Sequence, residues 1–207
     1  MFFSFDGIDG VGKSTQIELF ADAMRSAGRD VVCCRDPGST QLGESLREIL
    51  LNNHDVPISA ASEMLIYMAA RAQLVNQIIR PALDAGKVVI SDRYLLANVV
   101  YQGYAGGLEI ESVRRVGQVA TGGLLPSLTF LLDMSVEAAA KRIDRALDRM
   151  ESRGHEYLQR VREGFLAEAA RNPDRIVLID ASRDVAAIQK DVIAAAEKSG
   201  VLKRAGC

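Results

Sequence analysis

Several features are missing from this chain, and each absence narrows what it can be. There is no excess of basic residues: 25 Lys and Arg stand against 27 Asp and Glu, for a net charge of −2 and a sequence pI of about 5.8. A global positive field for nucleic acid is therefore lacking, and any phosphate recognition must come from local arginines. No uninterrupted apolar run approaches the roughly 18 residues of a membrane span. No basic leader precedes an apolar core, so no secretory signal is expected. The only two histidines, His54 and His155, have no ligand-spaced partners and read as structural or surface residues. Of the three cysteines, Cys33 and Cys34 are neighbours on an expected strand, where they would face opposite sides, and Cys207 is the last residue, which is not a prenylation box. Free thiols in a reducing cytosol are the expectation. Internal repeats, low-complexity segments and linkers are absent too. The remaining balance, 48% hydrophobic and 25% charged without tryptophan, is that of a soluble globular chain, read as one domain over 1–207.

What is present begins with Gly7-Ile8-Asp9-Gly10-Val11-Gly12-Lys13-Ser14, a G-x-x-x-x-G-K-S motif. It follows a short apolar run, 1–5, and opens an amphipathic run, 15–27. That is the strand, glycine-rich loop and helix of a phosphate-binding loop. Glycines let successive backbone N–H groups converge on phosphate oxygens, and the helix N-terminus adds unpaired N–H groups and a positive dipole end. Lys13 can reach the β- and γ-phosphates, and the Ser14 hydroxyl can ligate Mg²⁺. A glycine turn before an ordinary helix is the bland alternative.

Further along, strand and helix signals alternate. Strands are expected at 1–5, 30–34, 87–91, 128–132 and 175–179. Helices are expected at 13–28, 41–51, 59–83 with a bend at Pro81, 96–101, 109–121, 136–147, 155–170 and 185–198. Residues 52–57 read as a connector and 202–207 as a frayed tail. Short apolar strands between helices predict a three-layer α/β fold with a five-stranded parallel sheet covered on both faces. Ligands then bind beyond the carboxyl ends of the strands, where 7–14, 35–40, 92–94 and 180–182 fall.

Four constellations carry possible chemistry. Asp92-Arg93 follows a strand, and an acid there can hold Mg²⁺ while the arginine grips a phosphate; alone, the pair reads as a strand-end ion pair. Arg35 and Arg47 flank the second strand and the helix after it, and with Arg93 could form a second phosphate pocket; alone, each is a solvated arginine. Tyr67 and Arg71, four apart on one helix, share a face that could sandwich and hydrogen-bond a flat base, or could be a core tyrosine and a surface arginine. Arg142, Arg145, Arg149 and Arg153 would form one stripe if helical, suited to charge on a moving phosphoryl group, or a solvated face paired with Asp144, Asp148 and Glu151.

Together these segments resemble thymidylate kinases. The likeness rests on residues 5–16, Arg35-Asp36-Pro37-Gly38, Tyr67-Met68-Ala69-Ala70-Arg71, Asp92-Arg93-Tyr94 with Tyr101-Gln102, Asp148-Arg149-Met150-Glu151, Arg160-Val161-Arg162-Glu163-Gly164-Phe165 and Ile179-Asp180-Ala181, and it spans about 3–195. The resemblance implies a P-loop fold with a mobile lid over about 142–154, acting as a homodimer. It implies transfer of the γ-phosphoryl of ATP to dTMP with Mg²⁺, placed by Ser14 and Asp92. It assigns Gly7, Asp9, Gly10, Val11, Gly12, Lys13, Ser14, Thr15, Arg142, Asp180 and Ala181 to ATP. It assigns Asp9, Arg35, Asp36, Arg47, Tyr67, Arg71, Arg93, Asn98, Tyr101 and Gln102 to the acceptor. Tyr67 would stack on thymine, Arg71 would bond its O4, and Tyr101 against the sugar would favour deoxyribose.

Departures from the family pattern are informative. Tyr67 stands where phenylalanine is usual, Asn98 where many members have serine, and Asp36 where many have glutamate. Some relatives carry the transition-state arginine inside the phosphate loop. Here Gly10 and Val11 occupy that stretch, so the cation is expected from the lid, from Arg149 ahead of Arg145, alongside Lys13, Arg93 and Asp9 as catalytic groups. A kinase for dUMP or UMP is the nearest competing reading. A nucleotide-hydrolysing switch is another, against which the absence of an Asn-Lys-x-Asp guanine motif and the presence of a second phosphate pocket both speak.

Overall fold

The structure, a computed structural model, describes residues 1–51, 57–146 and 148–200. His54, Leu147, Cys207 with the tail 202–207, and the connector 52–57 except Pro57 lie outside the described residues. Five strands, β1 (Phe2–Asp6), β2 (Val31–Arg35), β3 (Val88–Asp92), β4 (Leu128–Asp133) and β5 (Ile176–Asp180), form one parallel sheet in the order β2-β3-β1-β4-β5. Each begins one residue or less from its expected start, and all five run one residue further. Asp6, Asp92, Asp133 and Asp180 are therefore strand ends rather than loop residues. β1 is central, with β3 on one side and β4 on the other. The chain leaves β1 in one direction and later returns on the other side of it, which makes the end of β1 the crevice where such sheets bind ligands.

Few aromatics suffice because they are concentrated. Phe3 and Phe5 on β1, Phe130 on β4 and Phe20 on α1 (Lys13–Ser26) form one buried cluster, with ring centroids 4.8 to 5.9 Å apart. Ile17, Ala21 and Met24 extend the buried face of α1 at helical spacing. That packing fixes the phosphate loop, since it joins β1 to α1 directly. Ala27 caps α1, and Gly28 follows at φ +74, the left-handed turn that a helix stop favours.

The expected helix 59–83 is three pieces. Ser59 caps α3 (Ala60–Leu74) by accepting the Ser62 N–H, after α2 (Gln41–Leu51). A π-helical turn, Val75–Ile79, then leads into α4 (Arg80–Asp84), with Pro81 at its start. Pro81 lacks an N–H and its ring crowds the carbonyl four residues back, so the helix widens ahead of it instead of bending at it. A second π turn, Val99–Tyr104, continues α5 (Leu95–Asn98), so this element runs past the expected 96–101.

The largest departure is 136–147. After α6 (Ile110–Thr121) and β4, α7 covers only Val136–Ala140. Lys141, Arg142, Asp144 and Arg145 are exposed, with only Ile143 half-buried, so no apolar stripe supports a longer helix. The expected single arginine stripe is consequently not formed. α8 (His155–Arg171) and α9 (Val185–Lys198) complete the chain.

Candidate active site

The phosphate loop is built as its residue types require. Gly7 has φ +135, and a Cβ there would lie 2.3 Å from the Leu132 carbonyl oxygen. Gly10 has φ +85, and its Cβ would lie 2.2 Å from the Ala139 carbonyl oxygen. Only glycine fits at either position. Val11 is buried beneath the loop and Gly12 caps α1. Lys13 is buried and folds back on the loop, its Nζ donating to the carbonyls of Gly7 at 3.2 Å and Ile8 at 2.9 Å and to Asp9 Oδ1 at 3.3 Å. Burial, helped by the nearby Arg93 charge, lowers its pKa against the pull of Asp9. Ser14 and Thr15 are exposed in the first turn of α1.

β3 delivers Asp92, and Arg93 leaves it at φ +67, a costly backbone for a non-glycine residue, with the Arg93 carbonyl accepting from Ser91 Oγ at 2.6 Å. The turn aims the guanidinium back across the crevice. Arg93 Nη2 donates to Asp9 Oδ1 at 2.7 Å, and its guanidinium carbon sits 5.1 Å from the Tyr101 ring centroid. Burial would raise the Asp9 pKa, but Arg93 and Lys13 outweigh it and hold the carboxyl well below the usual range. Asp9 stays ionised and Arg93 stays charged.

Beneath them lies Asp6, fully buried, with both carboxyl oxygens unpartnered. Burial pushes it up to about 7, against the opposing pull of Arg93 and Lys13. It did not stand out in the sequence as a site residue; its one signal was its place beside Gly7, where a strand ends at the loop.

On the other wall, the Arg71 guanidinium is almost completely buried. Its Nε donates to Asp36 Oδ2 at 2.5 Å, Nη1 to the Met68 sulfur at 3.2 Å and Nη2 to the Tyr94 carbonyl at 3.2 Å. Burial pushes the Asp36 carboxyl up while Arg71 pulls it down. Asp36 thus orients Arg71, a role its position in a turn-rich loop did not reveal. Arg47 donates to the Pro37 carbonyl at 3.0 Å and borders the same space. Tyr67, Asn98, Tyr101 and Gln102 line it as well, forming one cleft with Asp9, Arg71 and Arg93. The π turn at 99–104 is what brings Tyr101 and Gln102 to the cleft beside Asn98.

Among the described residues, eleven buried side-chain polar atoms have no hydrogen-bond partner. Seven belong to Asp6, Asp36, Asp92, Arg93, Asn98 and Tyr101, all in or under this cleft. Such atoms are rare in folded proteins, and their concentration marks a place built to bond a polar ligand.

Other predicted residues fall elsewhere. Arg35 is outside the cleft, exposed, its Nη2 3.1 Å from both oxygens of Glu44. Arg142 donates to the Ala181 carbonyl at 3.2 Å, and the exposed Asp180 accepts from the Ser182 N–H and hydroxyl, so Arg142, Asp180 and Ala181 sit together at the end of β5. Arg145, Asp148 and Met150 line the cleft. Arg149 does not. It turns to α3, Nη2 donating to Glu63 Oε2 at 2.5 Å and Nε to the Leu50 carbonyl at 2.6 Å.

The family model described as thymidylate kinase matches residues 5–192 of the chain. A thymidylate kinase of Caldanaerobacter subterraneus subsp. tengcongensis is 43% identical over 198 residues, covering 95% of each chain. One from Rhodopirellula baltica is 44% identical over 191 residues, covering 92% of this chain and 78% of the relative. The crystal structure of thymidylate kinase from Ehrlichia chaffeensis superposes with a TM-score of 0.77 at 31% identity, covering 95% of this chain and 98% of that one.

Proposed function

The chain belongs to the thymidylate kinase family, and from that premise we propose that it transfers the γ-phosphoryl group of ATP to dTMP, giving dTDP and ADP for dTTP synthesis. One observation carries the reading to this chain's own residues. Asp9 and Arg93 are bonded at the junction between the phosphate loop and a cleft whose far wall is Tyr67 and the Asp36-held Arg71. A nucleotide base seated between Tyr67 and Arg71 would point its phosphate toward Arg93, whose buried Nη1 lacks a partner.

The mechanism that follows is positioning plus electrostatics, without a covalent enzyme intermediate. Loop N–H groups, Lys13, Ser14 and Thr15 take the donor phosphates, and Arg142 with Asp180 and Ala181 borders the rest of ATP. Lys13 exchanges its loop carbonyls for phosphate oxygens. Arg93 and Arg47 hold the acceptor phosphate and aim its oxygen, with Arg35 at the rim. Asp9 faces the acceptor sugar, and Tyr101 excludes a 2′-hydroxyl. The buried unpartnered Oδ1 of Asp92 and the exposed Ser14 hydroxyl suit a hard, oxygen-seeking cation, and Mg²⁺ held there would neutralise charge between the β- and γ-phosphates. Residues 142–154 act as the lid within a single domain. Of the two lid arginines expected to supply the cation, Arg145 and Arg149, Arg145 borders the cleft, and we give it the charge-neutralising role, with Arg149 fastening the lid to α3.

We also propose a homodimer in the cytoplasm. α3 and α6 pack together and expose Leu65 and Val119, apolar side chains that a partner would cover. Cys33 and Cys34 are free thiols, and no described helix is long and apolar enough to cross a membrane.

ADP release from ATP–Mg²⁺ across dTMP, dUMP, UMP, dCMP and dGMP tests the reading. Turnover should be strongest with dTMP. Equal turnover without any acceptor would favour a nucleotide switch, and no preference for dTMP would remove the substrate claim.

A further inference from the structure

Glu63 lies in the first turn of α3, where an acid usually faces water and the helix dipole, yet it is 1% exposed. A carboxylate at that depth must be paired. Its two oxygens are divided between two parts of the site. Oε1 accepts Gln102 Nε2 at 2.8 Å, and Gln102 Oε1 in turn accepts Asn98 Nδ2 at 2.7 Å. Both Gln102 and Asn98 line the acceptor cleft. Oε2 accepts Arg149 Nη2 at 2.5 Å and also Arg153 Nη2. Both arginines belong to the segment 142–154.

A second thread runs parallel to the first. Arg153 lies 4.9 Å from the Tyr157 ring centroid, and the Tyr157 hydroxyl donates to the Tyr101 carbonyl at 3.0 Å. The segment that carries Arg145 is thus tied at its C-terminal end to residues 98–102, while Arg149 is also bonded to the carbonyls of Leu50 and Leu51 at the end of α2. α7 has already ended at Ala140, and among the described residues a single 3₁₀ turn, Glu151–Arg153, precedes α8.

We propose that Glu63 is a positioning residue that couples occupancy of the acceptor cleft to the placement of the lid. This rests on the kinase reading above. The physical reason is the shape of a carboxylate. Its two oxygens share one rigid plane, so a shift or loss of the Gln102 bond when a base enters reorients the oxygen that holds Arg149 and Arg153. The bonds to the arginines are charge-assisted and largely withdrawn from water, which makes them strong and sensitive to geometry. A ligand that bonds Asn98 and Gln102 then changes how firmly Arg149 and Arg153 are held, and with them where Arg145 stands. By linkage, nucleotide binding under the lid must change acceptor affinity by the same factor.

The test is the dissociation constant of dTMP, by titration calorimetry, with and without a non-hydrolysable ATP analogue, in the wild type and in Glu63→Gln. Glutamine keeps the shape and can still accept from Gln102, but it removes the charge that holds both arginines. The wild type should show a coupling of about fivefold or more, in the range typical of linked sites. Glu63→Gln should bring it to within about twofold of unity, with dTMP affinity measured alone changing less than the coupling does. Coupling that is absent in the wild type, or intact in Glu63→Gln, overturns the proposal. A purely structural brace would lower the melting temperature and leave the ratio unchanged. Should Glu63→Gln fold poorly, Arg153→Gln removes one lid donor and leaves α3 untouched; it should reduce the coupling, and an unchanged ratio there counts against the proposal equally. If the substrate panel selects an acceptor other than dTMP, the substrate reading has failed and the same titration is run with that acceptor, so the two failures are distinguishable.

Discussion

Asp36 and Arg71 form a nearly solvent-free ion pair, with Nε and Oδ2 2.5 Å apart, and this pair sets the far wall of the acceptor cleft. Arg71 would otherwise be a flexible cation four residues from Tyr67. Clamped by Asp36, the Tyr94 carbonyl and the Met68 sulfur, it presents its remaining N–H groups in one direction.

Asp36→Asn should therefore raise KM for dTMP about tenfold with a smaller effect on kcat, because it weakens positioning of the base rather than the transferring group. Asp36→Ala should also destabilise the fold, by about 3–5 kcal/mol as for breaking a buried pair. Steady-state kinetics and urea unfolding measure the two effects. An unchanged KM in both variants would mean that Arg71 does not depend on Asp36.

Asp6 sets a pH dependence of stability. Its native pKa is pushed up to about 7, whereas the unfolded chain titrates near 3.8. Between those values the native state keeps a proton that the unfolded state has lost, so this group's contribution to stability falls as pH rises, by up to about 1.4 kcal/mol per unit. The contribution is fully present below about pH 4 and lost above about pH 7. Asp6→Asn cannot ionise, so its stability relative to wild type should increase from pH 5 to pH 8. Chemical denaturation at several pH values reads this directly, and parallel pH profiles would sink it.

Arg93→Lys should not be tolerated. A lysine retains the charge but loses the forked geometry that lets Nη2 serve Asp9 while Nη1 remains for a phosphate. kcat/KM for dTMP should fall about 100-fold, the order expected for losing one preorganised donor. A fall of less than about threefold would show that charge alone suffices at this position.

Lys13→Ala and Arg145→Ala should each lower kcat about 100-fold or more while leaving the KM for dTMP within a few-fold of wild type, because both groups act on the transferring phosphoryl. Arg149→Ala should act differently, reducing stability and lid coupling through Glu63 and Leu50. If Arg149→Ala has the larger effect on kcat and Arg145→Ala almost none, the two roles are reversed.

Much of this molecule is legible in its residues. The Gly7–Ser14 motif, strand on one side and amphipathic helix on the other, defines a phosphate loop by local chemistry alone. The five apolar runs define a parallel sheet, because only a sheet covered on both faces buries such strands. Tyr67 and Arg71 share a helix face through spacing, and Asp92-Arg93 ends a strand by position. These are properties of neighbours in the chain. The comparisons show the family that these motifs resemble, through a family match over residues 5–192 and a relative 43% identical across 95% of the chain.

What sequence could not decide depends on contacts between distant residues. The Arg142–Arg153 run has helical spacing, but spacing forms a helix only when one face can be buried, and here residues 141–146, exposed except for the half-buried Ile143, offer none. Its arginines are distributed instead by their separate partners, Ala181 for Arg142 and Glu63 for Arg149 and Arg153, which lie 39, 86 and 90 residues away. Asp36 became the clamp of Arg71, and Arg35 left the cleft for Glu44, because the end of β2 turns Arg35 outward and the next residue, Asp36, inward. Asp6 and Glu63 look like ordinary acids in the sequence. Only the tertiary structure buries them, and it is burial that turns a carboxylate into a shifted titration in one case and a shared tether between acceptor cleft and lid in the other.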